Sequence, residues 1–245
     1  MRAKWIKILS ITARWLFILC LPVFLLTASI GLAVNSQWLY EYGFNKYNIS
    51  QKTGLADIEL EKAASGLISY FNSNEDFIDI TVIKDGQPFT LFNQKEVAHL
   101  KDVKGLIWLD YWFMLGAGIY VISYIGISLF WRKKVYRRRL AKEVIYGSGL
   151  TLGLMLVLGI MTMLDFNKFF LQFHLISFTN DLWLLDPTKD YLIMLFPQGF
   201  WYDATLFCAV GTVVMAVILA GVVEGYLLVT KRRAIFWRSK SPRDK

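Results

Sequence analysis

Cysteine is scarce in this chain, and its two cysteines, Cys20 and Cys208, both fall inside long apolar runs. These positions exclude a disulfide framework in the polar parts of the chain and provide no metal-ligand spacing, so we expect no metal site. The sequence also lacks a G-x-S-x-G elbow, an H-E-x-x-H motif and a Walker loop. The usual signatures of serine hydrolases, zinc peptidases and P-loop nucleotide hydrolases are therefore missing.

Charge is absent from four stretches of the sequence, Trp15–Val34, Tyr111–Trp131, Val144–Leu164 and Ala204–Val223. Each is long enough to cross a hydrocarbon core of about 30 Å, which requires about 20 apolar residues in a helix. With 56% hydrophobic residues overall, the composition also departs from that of a soluble domain. We predict a mainly α membrane protein with four transmembrane helices.

Basic residues are segregated along the chain, and this decides the predicted topology. Of the 27 Lys and Arg residues, 18, including every Arg, lie before the first run, between the second and third, or after the fourth. They are Arg2, Lys4, Lys7, Arg14; Arg132, Lys133, Lys134, Arg137, Arg138, Arg139, Lys142; and Lys231, Arg232, Arg233, Arg238, Lys240, Arg243, Lys245. The positive-inside rule then places both termini in the cytoplasm and residues 35–110 and 165–203 outside the cell membrane. Because the outside segments hold 16 of the 19 acidic residues, nucleic-acid binding is not expected.

These boundaries divide the chain into six predicted parts. They are a cytoplasmic N-terminus with the first transmembrane helix, 1–34; an extracellular cap, 35–110; the second transmembrane helix and a basic cytoplasmic loop, 111–143; the third transmembrane helix, 144–164; an extracellular aromatic segment, 165–203; and the fourth transmembrane helix with a basic cytoplasmic tail, 204–245.

The first outside segment carries signals for a small α/β cap. Apolar residues recur at helical spacing from Leu55 to Phe71, which predicts an amphipathic helix. Alternation over 77–83 and 89–92, around the turn residues Asp85 and Gly86, predicts a hairpin. Asn93 followed by Glu96 predicts a capped helix that continues into the second span.

The second outside segment is too apolar for an ordinary loop. Pro187 and Pro197 are expected to divide it into short pieces, and its many aromatic residues are expected to lie at the membrane surface.

The chain has two histidines, His99 and His174, and both lie in the outside segments. Histidine suits acid and base catalysis near neutral pH, although a lone interfacial histidine is more often a hydrogen-bonded structural residue. Asp102 lies one helical turn after His99 and is positioned to orient it. Asp181, with Asn180, either serves His174 in the same way or caps a short helix.

Two motifs resemble those of the lipoprotein intramolecular transacylases: His99-Leu-Lys-Asp102-Val-Lys104 and Phe173-His174-Leu-Ile-Ser-Phe178-Thr-Asn180-Asp181-Leu-Trp183. The similarity continues through Leu185-Asp186-Pro187, Leu192-Ile193 and Phe196-Pro197 to Phe200 and Asp203, and it covers nearly the whole chain. Members of that family are Gram-positive membrane enzymes that act on lipoproteins.

The resemblance implies an acyltransferase that moves the sn-2 acyl chain of a diacylglyceryl-cysteine to the amino group of that cysteine, which yields a lyso-form lipoprotein. It implies His99 and His174 as the catalytic pair at the extracellular membrane interface, with Asp102, Asn180 and Asp181 in support. Trp108, Tyr111, Phe173 and Trp183 are expected to line the substrate pocket. No metal and no cofactor are implied, and the expected partners are diacylglyceryl lipoproteins and membrane lipids.

Two other classes of function remain open at the level of sequence. One is a non-enzymatic transporter component or assembly factor with an extracellular binding cap. The centres of the predicted spans carry no charged residue, and this disfavours transport, since transporters more often have ionisable residues there. The other is a phospholipid acyltransferase or lipase that uses the same two histidines.

Overall fold

The structure is a computed structural model that describes residues 2–130 and 134–240. Side chains are described over 5–130 and 137–230. Of the basic residues that support the topology prediction, Arg132, Lys133, Arg243 and Lys245 lie outside the described residues. The elements are α1 Arg2–Val34, α2 Gln37–Lys46, α3 Ile49–Thr53, α4 Asp57–Phe71, β1 Thr81–Lys84, β2 Gln87–Thr90, α5 Gln94–Phe130, α6 Lys134–Leu164, α7 Phe166–Ser177, α8 Tyr191–Leu195 and α9 Gln198–Lys240.

The prediction of a mainly helical protein with four apolar helices is confirmed. Within the described residues, α1, α5, α6 and α9 are each long and apolar enough to cross a membrane. Helix α5 has 37 residues, or about 55 Å at 1.5 Å per residue. Because a hydrocarbon core is about 30 Å thick, this helix must extend past it.

The described residues form two compact units. Residues 28–112 and 158–209 make one, which we call the cap unit, and the described parts of 1–27, 113–157 and 210–245 make the other, which we call the basic unit.

The predicted amphipathic helix and hairpin of the cap unit are confirmed. Helix α4 buries Leu60, Ala63, Leu67 and Phe71 on one face. Strands β1 and β2 pair antiparallel, and the turn places Asp85 and Gly86 at φ 51° and 73°. Such positive φ values at both central residues are typical of a tight hairpin turn and explain the Asp-Gly pair. The sheet is these two strands alone within the described residues, so the cap is largely helical rather than an even mixture of helix and sheet.

The start of α5 is a capping box, as the sequence predicts. The Asn93 N–H donates to Glu96 Oε2 over 2.7 Å, and Asn93 Oδ1 accepts from the Glu96 N–H over 3.1 Å. The helix then runs without interruption to Phe130. His99 therefore lies on the same continuous helix as the second predicted span.

The segment after the third long helix is more regular than the sequence suggests. Helix α7 has 12 residues and begins at an N-cap, where Asp165 Oδ1 accepts from the Lys168 N–H over 3.0 Å. The spacing of Phe166, Phe170 and His174 at every fourth residue is the signal that could have predicted it. Beyond Pro197, Phe200 of α9 is buried in the cap core.

The described part of the basic unit has its own core and one buried carboxylate. Glu143 is 1% exposed, and its carboxylate pairs with Arg14 at 2.5 Å and Arg139 at 3.3 Å. The Tyr124 hydroxyl also donates to it over 2.9 Å. This cluster joins α1, α5 and α6 in a unit that also has an apolar core cluster.

Candidate active site

The two histidines, which are far apart in the sequence, meet in the cap unit. The ring centroids of His99, on α5, and His174, on α7, are 6.4 Å apart, and the ring planes are inclined by 27°. The side chains are only 6% and 9% exposed. Two titratable groups of matching chemistry thus lie side by side and largely out of water.

Helix α7 fixes His174 by a hydrogen bond along its own turn. His174 Nδ1 lies 2.8 Å from the carbonyl oxygen of Phe170. A carbonyl oxygen only accepts, so Nδ1 carries the hydrogen in this contact. In a neutral imidazole the other nitrogen, Nε2, then holds the free lone pair.

Aromatic rings enclose His174 on several sides. The ring centroids nearest to that of His174 belong to Phe170 at 4.4 Å, Trp183 at 4.9 Å, Phe173 at 5.4 Å and Phe178 at 5.6 Å. This burial lowers the pKa of His174 below its ordinary value, and the Phe170 carbonyl opposes the shift by favouring the protonated ring. His174 is therefore neutral at pH 7 and able to accept a proton.

His99 is held by packing. The centroid of its ring lies 5.0 Å from that of Phe178, in an edge-to-face arrangement. Its Nδ1 is buried and has no hydrogen-bond partner among the residues that the structure describes. This nitrogen thus keeps its hydrogen-bonding capacity for a molecule that enters the site.

Asp102 contacts the loop after α7. Its Oδ2 accepts from Asn180 Nδ2 over 2.9 Å, and Asn180 Oδ1 accepts from the Leu182 N–H over 3.0 Å. The pair therefore joins the His99 helix to the chain that follows His174, and an action of Asp102 on the His99 ring stays a prediction. Asp181 has an exposed side chain, and its carbonyl oxygen accepts from the Leu184 N–H over 3.2 Å.

The four predicted pocket residues divide into two groups. Phe173 and Trp183 contact His174, as given above, whereas Trp108 and Tyr111 make their contacts elsewhere. Trp108 Nε1 donates to the Phe71 carbonyl over 3.1 Å, and Trp108 lines a surface cavity of about 310 Å³ together with the segment 73–76. The Tyr111 hydroxyl bonds to the side chains of Asn35 at 2.8 Å and Asn72 at 3.3 Å.

The helical period explains why Trp108 is separate from the histidines. At 100° per residue it lies about 180° around α5 from His99.

Two aromatic residues of the site were missed in the sequence. Phe170 and Phe178 contact the histidines but were not predicted as site residues. The spacing of Phe170 and Phe178, each four residues from His174, was the signal for both.

Fold and site together define a multi-pass membrane protein with a histidine pair in an aromatic cluster. A model of the family described as lipoprotein intramolecular transacylase Lit matches residues 15–201. The chain therefore belongs to this family, and the resemblance in its sequence motifs is confirmed.

Solved structures of family members share the fold. The structure of the membrane-integral lipoprotein intramolecular transacylase Lit from Bacillus cereus is 20% identical, with a TM-score of 0.75, and covers 93% of this chain and 99% of its own. A structure of that protein with a histidine replaced by alanine is 19% identical, with a TM-score of 0.74, and covers 95% and 100%. At these identities the likeness concerns the fold alone.

A relative of higher identity has no assigned function. An uncharacterized protein from Aquifex aeolicus is 34% identical over 119 residues, which are 49% of this chain and 50% of that protein. The match thus spans about half the length of this relative.

Proposed function

We propose that this protein is an intramolecular acyltransferase of bacterial lipoproteins, with His99 and His174 as its catalytic pair. The observation that carries the proposal is the meeting of the two histidines of the chain, 6.4 Å apart and buried among aromatic rings, in a member of the Lit family. The proposed reaction moves the sn-2 acyl chain of a diacylglyceryl-cysteine to the α-amino group of the same cysteine.

Orientation of the substrate is the first requirement of this reaction. The attack of the amine on the sn-2 ester closes an eight-membered ring of amine nitrogen, Cα, Cβ, sulfur, two glyceryl carbons, ester oxygen and carbonyl carbon. A flexible lipid seldom adopts that conformation. Holding two groups in reactive geometry lowers a barrier by up to about 7 to 11 kcal/mol. An aromatic enclosure around the histidines is suited to hold the acyl chains in place.

His174 is the proposed general base. The hydrogen on Nδ1 donates to the Phe170 carbonyl, so the lone pair of Nε2 is free to take the proton that the attacking amine loses. Burial favours the neutral ring, which keeps this lone pair available at pH 7. A positioned general base contributes about 10²- to 10⁴-fold in rate.

His99 is proposed to stabilise the oxygen atoms that gain negative charge during the reaction. As the nitrogen attacks, negative charge develops on the carbonyl oxygen and then on the departing glyceryl oxygen. His99 Nδ1, buried and without a partner among the described residues, offers a hydrogen-bonding group for either oxygen.

The proposed step balances without a co-reactant. A nitrogen–carbon bond forms, the carbon–oxygen bond to the sn-2 glyceryl oxygen breaks, and the proton from the amine ends on that oxygen. The product is an N-acyl, S-monoacylglyceryl cysteine of unchanged mass.

The proposed orientation follows from charge. The basic residues near the ends of the apolar helices support a cytoplasmic location of both termini. In the proposed orientation, the cap unit with both histidines lies at the outer face of the cell membrane. A lipoprotein anchored in the outer leaflet reaches this face with its acyl chains still in the lipid.

Mass spectrometry of N-terminal lipopeptides tests the function. A host that makes diacylated lipoproteins is made to express the wild type, His99→Ala, His174→Ala or Gln172→Ala. Gln172 is an exposed polar residue on the same helix as His174 and serves as the matched control. We expect the wild type and the control to move one acyl chain from glycerol to the amine at constant total mass, and both histidine variants to lose this transfer.

The position and source of the acyl chain are resolved by a substrate with different chains at sn-1 and sn-2. Transfer from sn-1, or of a chain from a separate phospholipid, would contradict the proposal. Intact diacylglyceryl lipoproteins in cells with well-inserted wild-type protein would refute it and favour a binding or transport role.

A further inference from the structure

A buried carboxylate lies one helical turn before His99. Glu96 is only 1% exposed, although no Lys or Arg within the described residues forms an ion pair with it. Its two carboxyl oxygens are met by backbone donors: Oε2 accepts from the Asn93 N–H over 2.7 Å, and Oε1 accepts from the Leu192 N–H over 2.6 Å. Glu96 thus joins the first turn of α5 to the first turn of α8.

A second buried carboxylate extends this connection. Asp190 is 3% exposed. Its Oδ1 accepts from Asn93 Nδ2 over 2.9 Å, and its Oδ2 accepts from the Asp186 N–H over 2.7 Å. Asn93 therefore donates to both carboxylates, one through its backbone and one through its side chain.

Two further contacts join α5 to the chain after His174. Lys95 Nζ donates to the Leu184 carbonyl, and Asn180 donates to Asp102. Both contacts are exposed to solvent, where water competes for each hydrogen bond. The Glu96 bond to Leu192 is fully buried, so it is the contact that water replaces least easily.

The position of Glu96 gives this bond a consequence for the site. After His174 on α7, the chain runs on to α8, where Leu192 contacts α5. Glu96 fixes that contact, and His99 lies three residues further along the same helix. The spacing of the two imidazoles therefore depends on how the chain of 175–192 is held against α5.

We propose that Glu96 is a positioning residue, whose carboxylate holds the segment after His174 against the His99 helix and thereby sets the spacing of the two imidazoles. The kinetic consequence rests on the proposed function, whereas the geometric consequence is independent of it. Glu96 does not contact a reacting group.

The two acceptor oxygens of the Glu96 side chain are the feature that the proposal requires. They meet two N–H donors, so Glu96→Gln turns one acceptor into an NH₂ group that faces a donor. Glu96→Asp keeps the carboxyl group but shortens the reach by one methylene. Glu59→Gln is the matched control, because Glu59 Oε2 also accepts from a backbone N–H, that of Ile83, over 2.9 Å. This bond joins α4 to β1 and leaves α5 untouched.

The kinetic experiment measures acyl transfer in proteoliposomes at several concentrations of a diacylated lipopeptide. A displacement of about 1 Å in a catalytic group lowers the rate by about 100-fold. We expect Glu96→Gln to lower kcat by roughly 10- to 100-fold with KM within about twofold of wild type, and Glu96→Asp to recover part of the loss. Glu59→Gln should keep the wild-type kcat. A Glu96→Gln variant with unchanged kcat would overturn the proposal.

The second experiment reads the geometry without catalysis. Because the chain has two histidines, NMR of histidine-labelled protein in micelles gives one set of imidazole signals for each. We expect Glu96→Gln to shift both sets and Glu59→Gln to shift neither. Shifted signals in a protein without transacylase activity would refute the proposed function and support the positioning role.

The inverse result separates the two proposals as well. An active wild type whose imidazole signals are unmoved by Glu96→Gln would keep the function and refute the positioning role. If Glu96→Gln does not fold, Asp190→Asn replaces it, since that variant weakens the same connection from the side of α8 and is expected to shift both sets of signals. Unmoved signals in Asp190→Asn would also overturn the proposal.

Discussion

The contact between Asp102 and Asn180 allows a sharp separation of two roles for one carboxylate. If Asp102 acts by holding Asn180, the hydrogen bond of 2.9 Å is what matters. If it acts by charge on His99, the ionised carboxylate is what matters. Asp102→Asn distinguishes these roles, because it removes the charge but keeps an oxygen that accepts from Asn180.

The magnitude follows from the exposure of the pair. Buried hydrogen bonds to charged groups contribute about 1.5 to 3 kcal/mol, but this contact is exposed, so we take about 1 kcal/mol. That energy corresponds to about fivefold in the population of the correctly held site. We expect Asp102→Ala to lower the rate of acyl transfer about fivefold and Asp102→Asn to stay close to the wild type.

The assay is the initial rate of N-acylation of a diacylated lipopeptide in proteoliposomes, followed by mass spectrometry. A double-mutant cycle with Asp102→Ala and Asn180→Ala isolates the pair from the other bonds of Asn180, and a coupling of about 1 kcal/mol is expected. If Asp102→Asn loses as much activity as Asp102→Ala, or the two alanine effects simply add, the reasoning from the hydrogen bond is wrong.

Three further predictions concern protonation and packing. Burial lowers the pKa of His174, so its imidazole NMR signals should titrate below the ordinary value of about 6.5. Because the folded state disfavours the protonated ring, the folded protein should lose stability as pH falls from that value. An NMR titration midpoint of His174 at or above pH 7 would contradict this prediction. Gly43→Ala places a Cβ 2.3 Å from Phe200 Cδ2 and should lower the free energy of unfolding, measured by denaturation, by about 1 to 3 kcal/mol. Gly105→Ala is the control, because a Cβ there meets nothing within 4 Å, and it should not destabilise the protein. Glu143→Ala leaves the guanidinium groups of two arginines without their buried partner and should lower stability by about 3 kcal/mol; an unchanged thermal midpoint would show that this cluster is dispensable.

Several elements could be predicted because their causes are local. The Asp85-Gly86 turn requires positive φ at two adjacent residues, and few sequences tolerate this. The capping box at Asn93 and Glu96 depends on two residues within one turn. The apolar runs require only length and the absence of charge. Helix α7 was missed although its i, i+4 pattern was present, because apolar residues on its other faces obscured the period.

The candidate site was predicted in part. The sequence could name both histidines as the chain's side chains that titrate near neutral pH. It could not show which way the side chains of several pocket residues point. Trp108 lines the cavity along 73–76, and its expected place beside the substrate stays a prediction. Glu96 was predicted only as a cap, because its bond to Leu192 connects residues that are remote in sequence.

The number of apolar helices, the hairpin, the capped start of α5 and the identity of the two histidines could all be read from the sequence. Each of these features depends on composition or on neighbours within a few residues. Other features come from tertiary packing: the ring centroids of His99 and His174 lie 6.4 Å apart, Asp102 bonds to Asn180, and Tyr40, Phe44, Phe196 and Phe200 form a shared core. These contacts depend on the rotation and packing of elements far apart in the chain, where many arrangements satisfy the same local pattern and side-chain packing selects one of them.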